Sequence, residues 1–199
     1  CSRNARVQNS RRVKCMLLFF LRHIKTCYNE NGILSGSAET GVLPGQEIKS
    51  NISLPVFDDV FCSPLTRCRK TIELIRGRCM NNIRYLDCLT ERNLGALEGM
   101  EKKKAILTYP ELFINNKLDI NKTIPGGESL DDIRQRLTRE LLPLLTKLPD
   151  ERCVLICSHN QTLKVLYSML YGINIDNEFW HKFNFENGTL TKIKAVEVK

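Results

Sequence analysis

The sequence predicts an α/β fold of three layers, α/β/α, in which a mostly parallel central sheet carries helices on both faces. Three observations predict it. The runs at residues 16–21 and 153–157 are continuously apolar, as strands buried on both faces require, and 56–62 is a further strand candidate. Stretches with helical periodicity separate these runs, which argues for βαβ units and parallel strands. The chain has 199 residues, 42% hydrophobic and 26% charged, enough for one substantial core.

Taken in order, the strand at 16–21 leads into a loop holding Gly32, Gly36, Gly41, Pro44 and Gly45, too rich in breakers for regular structure. After 56–62, Ser63-Pro64 reads as an N-cap followed by proline at the first helical position. That helix carries Leu65, Cys68, Ile72 and Ile75 on one face and is expected to stop at Gly77. A weaker strand follows at 83–86. Residues 90–125 are irregular apart from a short helix near 102–107. Ser129, with Asp132 three residues on, opens a helix in the manner of a capping box. Its apolar stripe is Ile133, Leu137, Leu141, Leu144 and Leu148, and Pro143 is expected to kink it. The strand at 153–157 is followed by a helix at 161–171 that Gly172 closes. Residues 189–196 make a last, edge strand.

Charge and cysteine content narrow the function. The formal charge is +8, but Arg3, Arg6, Arg11, Arg12 and Lys14 supply more than half of it with no acid among residues 1–15. Residues 1–15 are expected to form a basic, disordered leader, with Met16 as a candidate start and 16–199 as a single catalytic domain. The rest of the chain shows no basic-aromatic surface, so no nucleic-acid partner is expected. The longest apolar run falls far short of the roughly 20 residues that cross a bilayer, so no membrane partner is expected either. Nine cysteines without CxxC pairs or zinc spacing fit a reduced, cytoplasmic setting in which Cys acts as a small hydrophobe.

A parallel sheet binds ligands at the carboxyl ends of its strands. There the first strand ends in Arg22-His23, the second in Ser63-Pro64 with Arg67 one helical turn on, and the third in Ser158-His159. Guanidinium forks match phosphoryl oxygens bidentately, and helix N-termini add N–H donors. Such a pocket suits phosphate. A histidine serves as nucleophile by splitting one hard step into two, and a carboxylic acid must then protonate the leaving alkoxide.

Five segments in order resemble the histidine phosphatase superfamily, the phosphoglycerate mutase-like proteins, over nearly the whole chain. Arg22-His23-Ile24-Lys25-Thr26 stands for the family's Arg-His-Gly-x-Thr, with Asn29 six residues after the histidine. Ser63-Pro64-Leu65-Thr66-Arg67, the acid-bearing loop Glu91–Gly99, Pro125-Gly126-Gly127-Glu128-Ser129 and Ser158-His159 supply the others. The resemblance implies a phosphoglycerate mutase-like fold and metal-independent hydrolysis of a phosphomonoester, with no cofactor. His23 becomes phosphohistidine; Arg22, Arg67 and His159 hold the phosphoryl oxygens; Glu91 is acid and then base. Asn29, Thr26 and Lys102 are the implied substrate contacts. The partner is a small phosphorylated metabolite such as a sugar phosphate, and a homodimer is compatible with the sequence. Two positions depart from the pattern, Ile24 and Asn160, each in place of a glycine. Mutase-type transfer is the alternative, supported by Glu91-Arg92 and the offset of Lys102, although Leu94 stands where the mutases have tyrosine. A phosphate-binding homologue impaired at Ile24 is the other.

Overall fold

The computed structural model of the chain describes residues 16–79 and 83–193. The expected leader at 1–15 and the last residues of the expected edge strand, 194–196, lie outside the described residues. Strands β1 (Leu17–Arg22), β2 (Asp59–Cys62), β3 (Ile83–Tyr85), β6 (Cys153–Ser158) and β7 (Leu190–Ile193) form one sheet in the order β3-β2-β6-β1-β7. All neighbours are parallel except β7, which runs antiparallel to β1 at the edge. A small hairpin, β4 (Phe113–Ile114) and β5 (Lys117–Leu118), lies apart from it. The helices are α1 (Cys27–Glu30), α2 (Thr66–Glu73), α3 (Lys102–Thr108), α4 (Leu130–Arg136), α5 (Leu142–Lys147), α6 (Asn160–Tyr171) and α7 (Asn177–Lys182).

The layers follow from the two-residue period of a strand, which sends successive side chains to opposite faces. Leu18, Phe20, Val154 and Ile156 pack with Ile133, Leu137, Leu141, Leu145 and Leu163 of the helices on one face. Phe19, Leu21, Val60, Leu155 and Cys157 pack with Cys68, Ile72 and Ile75 on the other. All of β6 is buried, as a central strand covered on both faces must be. Register then sets the site. Arg22 pairs with Ser158, and Cys62 pairs with Cys157, so three strands end level. Backbone bonds continue that alignment beyond the strands, from His23 N–H to the Ser158 carbonyl (3.0 Å) and from Ser63 N–H to the Cys157 carbonyl (2.9 Å).

Four local expectations are corrected. Ser63 is not the cap of α2: Leu65 holds that position with no side-chain cap, and the Thr66 N–H donates instead to the Glu39 carboxylate at 3.1 Å. The helix ends at Glu73, and Gly77 sits inside a following 3-10 turn, Arg76–Arg78. Pro143 does not produce a simple kink. A π-helical turn, Leu137–Leu141, separates α4 from α5 and places Pro143 in the first turn of α5, where a missing N–H is tolerated. The hairpin β4–β5 was not legible as strands, because it turns on Asn115 and Asn116, both at positive φ (49° and 60°), rather than on a glycine. The capping box of Ser129 and Asp132 and the closing Gly172 at φ +63° stand as the sequence predicts.

One glycine is required by close approach. Gly95 has φ +48°, and a Cβ there would lie 2.2 Å from the Pro125 carbonyl oxygen and 2.5 Å from the Gly127 nitrogen. The loops are pressed together by bonds from Ala96 N–H to the Pro125 carbonyl and from Glu128 N–H to the Asn93 carbonyl, both 2.9 Å. Gly95→Ala is expected to destabilise the chain by about 2–4 kcal/mol, since strain and backbone clash coincide. Gly77→Ala, with open space around it, is expected to change stability by about 1 kcal/mol at most. Urea denaturation of the two variants checks the contrast.

Candidate active site

His23 is set by backbone before its ring does anything. Its carbonyl accepts from the Gly188 N–H (3.1 Å) and from Asn187 Nδ2 (2.9 Å). The ring Nδ1 lies 2.7 Å from the Ile24 carbonyl oxygen. A carbonyl only accepts, so Nδ1 carries the hydrogen and the lone pair of the neutral ring is on Nε2. Burial holds His23 well below the ordinary imidazole value of 6.5, and the neighbouring His159, Arg22 and Arg67 push the same way. The residue is therefore neutral, and nucleophilic at Nε2, around neutral pH. Its ring is expected to titrate well below pH 6.5 when followed by NMR, with the signal assigned by its loss in His23→Ala. Between the lowered value and 6.5 the unfolded chain takes up a proton that the folded chain refuses, so stability declines as pH falls through that window.

Arg67 and His159 form one unit. The Arg67 Nε donates to His159 Nδ1 at 3.1 Å, so His159 carries its hydrogen on Nε2 and donates to the Ser63 hydroxyl at 2.8 Å. The two Nη atoms of Arg67 donate to the Ala38 carbonyl (2.6 Å) and the Gly36 carbonyl (2.8 Å). That loop is held in turn by Glu98, whose Oε1 accepts from the Ser37 N–H and hydroxyl and from the Leu94 N–H at 2.7, 2.9 and 3.0 Å. Glu98 is thus a clasp. Glu91 is the acid at the cavity, its carboxylate set on the N-terminus of α6 by the N–H groups of Gln161 (3.2 Å) and Thr162 (3.1 Å).

Arg22, His23, Asn29, Arg67 and Glu91 line one cavity of about 180 Å³. Asn29 forms a capping box with Thr26: the Asn29 Oδ1 accepts from the Thr26 N–H at 3.2 Å and from Asn187 Nδ2 at 3.3 Å. Its own amide N–H groups remain for an anion. Three expected residues do not line the cavity. Thr26 is fully buried, with its hydroxyl accepting from the Asn29 N–H, so it shapes the loop. Lys102 is exposed at the start of α3. His159 has its ring centroid 5.1 Å from that of His23 but is wholly buried, and it orients Arg67.

Both departures at glycine positions find a physical account. Ile24 does not take a positive φ; it is buried, its N–H donates to the Thr71 hydroxyl at 2.9 Å, and its carbonyl orients His23. Asn160 ties α6 to the segment after α7: its Nδ2 donates to Asn184 Oδ1 (2.9 Å), and its Oδ1 accepts from the Phe185 N–H (3.0 Å). The Phe185 carbonyl then receives Arg22 Nη1 at 2.7 Å. Buried Lys164 donates to the Trp180 carbonyl and lies 3.4 Å from Asn184 Oδ1, completing the same anchor. Sequence reasoning missed Asn187, Phe185 and Ser63 as supports. No spacing marks them, for each acts through a contact distant in sequence.

The family model of the histidine phosphatase superfamily (branch 1) matches residues 18–198. The chain is 31% identical over 196 residues to a probable phosphatase of Schizosaccharomyces pombe, covering 92% of this chain and 88% of that one. It is 27% identical over 183 residues to a probable phosphoglycerate mutase of Erwinia tasmaniensis, covering 88% and 83%. Its fold is similar to that of Bacillus stearothermophilus YhfR, with a TM-score of 0.76 at 21% identity, covering 92% of this chain and 97% of that one. Among the described residues no helix is long and apolar enough to cross a membrane.

Proposed function

The chain belongs to the histidine phosphatase superfamily (branch 1), and from that premise we propose that it hydrolyses a small phosphorylated metabolite, such as a sugar phosphate, through a phosphohistidine. The observation that carries this reading is the commitment of His23 Nδ1 to the Ile24 carbonyl, which leaves Nε2 as the nucleophile in a cavity shared with Arg22, Arg67 and Glu91.

In the first step Nε2 attacks phosphorus in line; the N–P bond forms as the ester P–O bond breaks. The departing oxygen takes a proton from the Glu91 carboxyl. In the second step the Glu91 carboxylate removes a proton from water, the water oxygen attacks phosphorus, and inorganic phosphate leaves as His23 is restored. Charge developing on the phosphoryl oxygens is met by the two guanidinium groups and the Asn29 amide. His159 acts through Arg67. Mutase-type transfer has less support, because residues 100–125 contain no arginine to hold a substrate carboxylate.

The test is rapid quenching of the chain with a ³²P-labelled phosphomonoester in EDTA. The expected result is an acid-labile, alkali-stable phosphoprotein formed and lost at the rate of phosphate release. Phosphate release without that species would remove the phosphohistidine; transfer to phosphoglycerate in place of release would favour the mutase.

A further inference from the structure

Lys164 is a buried cation to which the steps above give no task. It stands on α6, 2% exposed, within a turn of the N–H groups that hold Glu91. A buried charge is costly unless it is paired or hydrogen-bonded, so its partners are informative. Its Nζ donates to the Trp180 carbonyl, lies 3.4 Å from Asn184 Oδ1 and sits 4.1 Å from the centre of the Trp180 ring. Among the described residues these contacts fall on α7 and the segment that follows it. That segment reaches the cavity. Asn184 Oδ1 accepts from Asn160 Nδ2 (2.9 Å), Asn160 Oδ1 accepts from the Phe185 N–H (3.0 Å), and the Phe185 carbonyl accepts from Arg22 Nη1 (2.7 Å). Two residues on, Asn187 Nδ2 donates to the His23 carbonyl at 2.9 Å.

We propose that Lys164 is a positioning residue whose ammonium pins this segment from the interior and thereby orients Arg22 toward the phosphoryl group. A neutral amine still donates a hydrogen bond, but it gives up the charge that holds a carbonyl, an amide oxygen and an indole face together. Of the charged and titratable groups facing Lys164, Glu91 favours the ammonium, while Arg22 on β1 and His181 on α7 oppose it. Burial outweighs Glu91 and brings Lys164 down to about 8 from the ordinary 10.5. The hold on a phosphoryl group therefore weakens as pH rises through that value. Between about 8 and 10.5 the unfolded chain keeps a proton that the folded chain has released. This group thus adds stability as pH rises there, and unfolding at this position does not account for the loss of binding.

Calorimetry of inorganic phosphate binding to the full chain, from pH 7.5 to 9.5, tests the proposal; phosphate stays largely dianionic across that range. The Kd is expected to rise at least fivefold. In Lys164→Met it should be at least fivefold weaker than in the parent at pH 7.5 and change less than twofold with pH, with melting curves at both ends of the range. Asn184→Ala keeps the lysine and cuts its link to Asn160. It should weaken phosphate about threefold at pH 7.5 and show less than half of the alkaline loss, which decides the matter if Lys164→Met does not fold. A flat profile in the parent overturns the proposal, as does an alkaline loss that persists undiminished in either folded variant, or no phosphate binding by the parent. Binding is read apart from turnover. Hydrolysis with a flat binding profile removes the role of Lys164 alone. The expected profile in a chain that hydrolyses no ester supports that role and removes the hydrolytic reading instead.

Discussion

His23→Ala is expected to reduce phosphomonoester hydrolysis by about 10⁴-fold or more, because the variant has no atom that can form the N–P bond. The acid-labile phosphoprotein should vanish with the activity. Stability should fall by only about 1 kcal/mol. The ring makes one bond through Nδ1, to the Ile24 carbonyl, and its loss leaves that acceptor unpaired. The pairing of the two readouts is informative. A residual rate within about tenfold of the parent, in a chain that melts normally, would show that water attacks directly and that His23 only helps to shape the cavity around the phosphoryl group. A large loss of both activity and stability would instead make His23 a structural residue of the strand end.

The second large effect is expected at Arg67, and there activity and stability should fall together. Its side chain is 1% exposed and holds three separate parts of the site: His159, the Ala38 carbonyl and the Gly36 carbonyl. Arg67→Ala leaves those acceptors unpaired in the interior, at a cost of about 3 kcal/mol. It also removes a guanidinium from the charge developing on phosphorus, for a further rate loss of about 10²–10³-fold at temperatures where the variant is folded. Arg67→Lys tests the geometry, since a lysine keeps the charge but cannot reproduce the fork. It should recover less than a tenth of the lost rate. Full recovery would mean that only the charge matters and that the contacts to Gly36, Ala38 and His159 are incidental. Kinetics of the two variants, each read with a denaturation curve, decide between these outcomes.

Much of this was legible in the chain because the chemistry sits where regular structure ends. Arg22-His23 and Ser158-His159 directly follow apolar runs, and an apolar run followed by a polar pair marks the carboxyl end of a strand in a parallel sheet. Cys68 and Ile72 were readable as one buried face of α2 for the same reason, since periodicity is a local property. Ser63 was misread because a serine before a proline carries the signature of a cap, and nothing adjacent discloses that its hydroxyl accepts from a histidine 96 positions away. Lys102 was placed by its offset alone, and an offset along the chain does not say which way a helix face turns.

The sequence by itself determined the layered α/β fold and the inventory of two imidazoles, two guanidinium groups and a carboxylate near the carboxyl ends of the strands. Those depend on patterns within a few residues of each other. Only the tertiary structure decided that Nε2 is the free nitrogen of His23, that Glu91 rather than Glu98 meets the cavity, and that His159 supports Arg67 from behind the cavity wall. It also decided that Ile24 needs no positive φ and turns its carbonyl to the His23 ring, and that Asn187 and Phe185 brace the site. The reason is physical: hydrogen-bond direction, burial and the lining of a cavity are set by groups that folding brings together from distant positions, Asn187 and His23 being 164 apart, and no local pattern encodes them.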